Sequence, residues 1–149
     1  MSSQLSSRFT MLVATHLLLV KDKQILLARR FQTGYEDGNY SLPAGHVEKD
    51  ESVQAAMVRE TNEEIGITVK AKHLTLAHVV HRQSDRSSID FFFWCKQWQG
   101  EVHIAEPDKC DHLLWSDVDD LPENTIPYVR QAITAAVAKQ KYSEFGFST

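Results

Sequence analysis

The chain has 149 residues, 42% of them hydrophobic and 24% charged, and a formal net charge of −4. These values fit one soluble domain with a sizeable core and exclude a general nucleic-acid binder, which would be basic overall; a small nucleotide, whose phosphates can be met locally, stays open. Two cysteines, Cys95 and Cys110, are too few for a disulfide framework, so a reduced, cytoplasmic setting is expected, with one bridge between them left open.

The serine-rich residues 1–8 are expected to be loose, within a single domain spanning 1–149. Met11 to Val20 is apolar enough to invite a signal-peptide reading. Against it stand His16 inside the run, Arg8 as the one basic residue before it, and no small-residue cleavage site after it. The run is also far short of the ~20 residues that span a bilayer. A buried strand is expected instead, with no membrane partner, and the row Leu17, Leu18, Leu19 points to cover on both faces. Gln24 to Arg30, after Lys21-Asp22-Lys23, completes a hairpin. His16 reads as a core or cleft-edge histidine, since no partner sits at ligand spacing. Arg29 and Arg30 end the second strand; Arg29 is the candidate for a substrate phosphate, with a solvated strand end as the alternative.

Phe31 to Tyr40, FQTGYEDGNY, is dense in turn formers and carries three aromatics. Tyr35 and Tyr40 are candidates to stack on a base; a packed surface loop is the alternative. Gly45 to Ile67, GHVEKDESVQAAMVRETNEEIGI, then reads as a short helix, with Asp50 as N-cap and Gly66 as stop. On a helical wheel Val53, Met57, Glu60 and Glu64 share one stripe, with Ala56 and Glu63 beside it. The glutamates thus extend the apolar stripe, the side that faces the protein. Glu60 and Glu64 are also a like-charge i, i+4 pair, which costs ~0.2–0.5 kcal/mol even in water and more when buried. A hard divalent cation held by carboxylate oxygens would resolve the conflict; a solvated acidic face is the other reading.

The spacing of Gly45, Glu51, Arg59, Glu60, Glu63, Glu64, Gly66 and Ile67 resembles the Nudix box. Thr61 departs from it, standing where that family has an aliphatic residue. The resemblance implies an α/β fold, an α/β/α sandwich around a mixed β-sheet, and hydrolysis of a nucleoside diphosphate linked to another moiety. It implies Mg²⁺, or Mn²⁺, held by Glu60, Glu64 and Glu63, with the Gly45 backbone as a further ligand. It also implies a general base, for which Glu63 and Glu106 are the candidates. Arg59, paired with Glu51, is expected to fix the helix against the preceding loop.

After the box, Leu74–His81 and Ser88–Cys95 read as strands joined by the basic loop HRQSDRSS, in which Arg82 is a substrate-binding candidate. Gln99-Gly100 is a turn, Glu101–Ile104 an edge strand, and His112–Trp115 a short strand. Glu106-Pro107, Lys109-Cys110, Trp115 and Asp117 look like the MutT-like branch of the family, whose members often supply an extra carboxylate here, hence Glu106. Pro127 opens a final helix with Val129, Ile133, Ala136 and Val137 as its apolar stripe. Tyr128 and the aromatic tail (Tyr142, Phe145, Phe147) are candidates for the cleft or a homodimer interface. The expected reaction is nucleoside triphosphate to monophosphate plus pyrophosphate, a role in nucleotide-pool sanitation included. Hydrolysis of ADP-ribose, a nucleotide sugar or a dinucleoside polyphosphate, or a non-catalytic nucleotide-binding module, is the alternative. The proline typical of ADP-ribose enzymes is absent near Gln83, and the tyrosine typical of dinucleoside enzymes is absent near Ser84-Asp85.

Overall fold

A computed structural model of the chain describes residues 8–148, so the serine-rich start lies, Arg8 apart, outside the described residues. β1 (Leu12–Lys21) and β2 (Gln24–Arg30) form the expected hairpin. Asp22 and Lys23 turn it, both at positive φ (52° and 67°), the twist that suits a two-residue hairpin loop. The strands stay paired only at Val20–Ile25 and Lys21–Gln24, then part. β3 (Tyr40–Ser41) takes the freed edge of β2, and β4 (Ala44–His46) takes the freed edge of β1. This split in the sheet is the structural origin of the cleft described below.

On its other edge β1 pairs in parallel with β6 (Ser87–Cys95). That strand pairs antiparallel with β5 (Thr75–Gln83), which pairs in parallel with β8 (Tyr142–Phe145). β7 (Cys110–Asp117) closes the outer edge of β2. The sheet is therefore mixed, with α1 (Val53–Ile65) on one face and α2 (Pro127–Val137) on the other. β1 supplies both cores. Leu17 and Leu19 pack with Leu26, Met57, Ile65 and Phe93 under α1, while Leu18 packs with Ile25, Phe92, Val129 and Ile133 under α2. All three leucines are fully buried, each worth ~1.5–3 kcal/mol of apolar transfer, so the central strand ties the layers together. This is the α/β/α sandwich expected from the sequence. Among the described residues no helix is long and apolar enough to cross a membrane, and both cysteines are free.

Several expectations need correction. α1 is capped by Ser52, whose Oγ accepts from the Ala55 amide at 3.0 Å, not by Asp50. Asp50 instead takes a left-handed conformation (φ 63°) in the turn that brings Glu51 back toward the helix. Arg82 lies within β5, because pairing with β6 continues to Gln83–Ser87 and leaves only Ser84–Arg86 as a turn. Residues 101–104 form no strand. They fold onto the end of α1, where the His103 and Ala105 amides donate to the Ile65 and Glu64 carbonyls and satisfy acceptors that a helix end leaves open. In α2, Val137 is 43% exposed, one residue beyond the buried Ala136. The aromatic tail contributes β8, a strand the sequence did not announce.

Candidate active site

The site is built around α1. Gly66 ends that helix in the left-handed region (φ 72°), so the chain reverses and the segment 103–105 can cap the helix as described. Glu106 follows directly on that docked segment and lines the cleft with Glu60 and Glu64. Helix capping and delivery of a third carboxylate are thus one structural event.

Gly45 is where sheet meets helix. A Cβ built there would fall inside the Glu60 carboxyl group, so only glycine lets Glu60 pass the β4 backbone. One turn further on, Glu64 Oε2 accepts from the Ala44 amide at 3.0 Å. Burial, and next the neighbouring Glu60, push the Glu64 carboxyl well above the ordinary carboxylate range, against the pull of the Ala44 amide. Burial likewise raises Glu60, with Arg59 working the other way.

Arg59 is the hub of the acidic cluster. Its Nε and Nη2 donate to the two Glu51 oxygens at 2.7 and 2.9 Å, a bidentate pair. Nη1 reaches Glu60 at 2.7 Å and Glu63 at 3.3 Å, and Nη2 also donates to the His46 carbonyl at 3.2 Å. The hydrogen bond from Arg59 pulls Glu51 down to about 2. Arg59 therefore locks the loop before the helix to the helix itself, and Glu63, half exposed, is held on the Arg59 side rather than among the cleft-lining residues.

The cleft has a volume of about 630 Å³. Glu60, Glu64 and Glu106 line it with Arg30 and Lys109, and Lys109 Nζ lies 3.8 Å from Glu106. His16, Arg82, Ser88, Tyr128 and Tyr35 line it as well. Of the residues picked from sequence, Glu60, Glu64, Glu106, Gly45, Tyr35 and Arg82 come together here. Arg29 does not line this cleft: its Nε donates to Asp111 at 2.8 Å. Tyr40 is only 7% exposed, and its hydroxyl shares a 2.8 Å hydrogen bond with His112 Nδ1, so its ring is not free to stack on a base. Arg30 stands in the cleft where Arg29 was expected, because alternation along β2 sends neighbours to opposite faces. Sequence alone assigns no role to Asp90, although an acidic residue inside the apolar run SIDFFFWC marks it, and Lys109 enters there only as part of the MutT-like pattern.

Among the described residues no three Asp, Glu, His or Cys side chains stand together as a formed metal centre. The donor set still fits a hard divalent cation. Glu64 is buried with one amide donor to offset its charge, Glu60 adjoins it, and the remaining carboxylate oxygens have the chemistry that Mg²⁺ or Mn²⁺ prefers.

The chain matches the NUDIX domain over residues 10–136 and belongs to the Nudix family of pyrophosphohydrolases. It is 27% identical over 120 residues to the 8-oxo-dGTP diphosphatase of Escherichia coli K12, covering 78% of this chain and 92% of that protein. A NAD-capped RNA hydrolase, NudC of Pseudomonas putida KT2440, is 33% identical over 108 residues, covering 70% of this chain but 36% of that protein. Among solved structures, a MutT NUDIX hydrolase from Burkholderia pseudomallei superposes with a TM-score of 0.78 at 30% identity, covering 85% of this chain and 98% of that one.

Proposed function

We propose that the chain is a Mg²⁺-dependent nucleoside triphosphate pyrophosphohydrolase that releases a monophosphate and pyrophosphate. The observation that carries this reading is the convergence of Glu60, Glu64 and Glu106 in one nucleotide-sized cleft, together with Arg30 and Lys109. The near full-length likeness to an 8-oxo-dGTP diphosphatase supports a triphosphate, and a role in clearing damaged nucleotides, over a sugar or dinucleoside substrate.

Glu60 and Glu64 are the proposed metal ligands, with the Gly45 backbone at hand. Bound there, a divalent cation supplies charge neutralisation at the pyrophosphate oxygens. Glu106 is the better placed of the two candidate bases. It lines the cleft, whereas Glu63 is held by Arg59. Its carboxylate accepts the proton of the attacking water as the water oxygen bonds to phosphorus and the bridging P–O bond breaks. Arg30 and Lys109 meet the charge that collects on the leaving pyrophosphate. Arg59 acts as a positioning residue for Glu60 and Glu51.

A panel of nucleoside triphosphates, ADP-ribose, nucleotide sugars and dinucleoside polyphosphates, assayed with and without Mg²⁺ and resolved by product chromatography, tests the reading. Monophosphate plus pyrophosphate from a triphosphate is the expected result. Cleavage of only the other classes would contradict the substrate assignment.

A further inference from the structure

The wall of the cleft formed by the sheet face under α2 has its own construction. β1, β6 and β5 lie side by side, and their register sets three rows across the sheet: Leu12, Ser88 and Arg82; Ala14, Asp90 and Val80; His16, Phe92 and His78. Alternation along the strands directs these residues to the face that carries α2. Tyr128, in the first turn of α2, stands edge-on to His16, with ring centroids 5.9 Å apart.

Asp90 is the centre. It is fully buried and accepts from Arg82 Nε at 3.0 Å, from Arg82 Nη2 at 3.3 Å and from Ser88 Oγ at 3.0 Å, and it lies 3.0 Å from His16 Nε2. Burial alone would raise its carboxyl. The hydrogen bonds from His16 and Arg82, with the Arg82 charge, outweigh that and hold it below the ordinary carboxylate range. An ionised carboxylate only accepts, so the His16–Asp90 contact places the ring hydrogen on Nε2, the tautomer that leaves Nδ1 as the acceptor. That Nδ1 is buried and has no hydrogen-bond partner among the described residues, a costly state for an atom packed in a wall of the cleft. The guanidinium of Arg82 has its edge taken by Asp90 and one face covered by the Tyr128 ring, 4.0 Å away. Its orientation is fixed before any ligand arrives.

We propose that this wall is the base subsite, in which His16 Nδ1 accepts an N–H of the nucleobase and the Asp90-held guanidinium of Arg82 supplies the flat cationic surface on which the ring stacks. The inference rests on the nucleotide hydrolysis proposed above and narrows its substrates to planar bases that carry an N–H donor. Asp90 is a positioning residue: it sets the tautomer of His16 and the plane of Arg82 and touches no substrate.

The test compares ATP and GTP with purine riboside triphosphate, which keeps the ring and has no N–H donor on it. Wild-type protein should show a KM for the better of the first two about tenfold below that for purine riboside triphosphate. In His16→Phe that ratio should collapse toward one. In His16→Gln, whose amide can donate to Asp90 and still present an acceptor, it should return in part. Arg82→Lys keeps the charge but loses the plane, and should raise KM for all three substrates while changing kcat far less; it also serves if His16→Phe does not fold. Equal effects of His16→Phe on all three substrates, or an Arg82→Lys variant that lowers kcat alone, would overturn the inference while leaving the hydrolase reading intact. Absence of any triphosphate turnover by the wild type would remove that reading, and the base subsite with it.

Discussion

Gly45 and Arg59 show how much of the site hangs on single residues. Glu60 occupies the space a Cβ at position 45 would fill. Gly45→Ala should therefore displace the Glu60 carboxyl and lower Mg²⁺-dependent turnover by on the order of 10²-fold, with little loss of thermal stability; turnover and melting temperature measured on one preparation separate the two effects. Arg59 and Glu51 give a pH signature. Glu51 lies at about 2 in the folded chain against an ordinary 4.5. A depressed carboxylate contributes stability that is present above the unfolded value and lost as pH falls through the folded one. Urea midpoints of Glu51→Gln should thus fall furthest below wild type above pH ~4.5, and the gap should close toward pH ~2.

At the scale of the element, α1 carries a defect that its own packing exposes. Thr61 is fully buried and its Oγ1 has no hydrogen-bond partner among the described residues. Thr61→Val replaces that hydroxyl with a methyl and should stabilise the protein by about 1 kcal/mol, read as a raised melting temperature with turnover kept. The helix was legible in the sequence because charge and apolar character share one stripe, and Gly66 marked its end. The cap was misread because Asp50 and Ser52 are both good caps, and the choice depends on Glu51 turning back to an arginine eight residues on. The edge strand expected at 101–104 failed for a similar reason: local alternation there is overridden by the open carbonyls of α1. β8 was invisible for lack of length. Four residues, Tyr142–Phe145, gain their strand from β5 and from His78, whose ring nitrogens lie 2.7 Å from the Gln140 carbonyl and 2.8 Å from Ser143 Oγ. Arg29 and Tyr40 are candidates by residue type, but their partners Asp111 and His112 lie on β7, 82 and 72 residues away, and no window of sequence shows that pairing.

For the whole molecule, the split between β1 and β2 decides where chemistry can occur. It opens the sheet, admits β4, and lets carboxylates from the α1 side meet a wall built on the α2 side. The buried Glu64 carboxyl ties that geometry to stability. Its raised position means that, without metal, it contributes stability present below the unfolded value and lost as pH rises through the folded one. A divalent cation held there, as proposed, would offset the same charge. The rise in melting temperature caused by Mg²⁺ should therefore grow as pH increases through the range in which Glu64 ionises; a shift that does not depend on pH would place the cation elsewhere.

The most direct measurement is a Mg²⁺ titration of turnover for wild type and Glu64→Gln side by side, on the triphosphate that the wild type handles best, with both products identified. Wild type should give monophosphate and pyrophosphate with saturable Mg²⁺ dependence. Glu64→Gln should fold at least as stably without metal and turn over on the order of 10²-fold more slowly. Equal turnover by the two proteins, or Mg²⁺-independent turnover by the wild type, would contradict a site built on the Glu64 carboxylate.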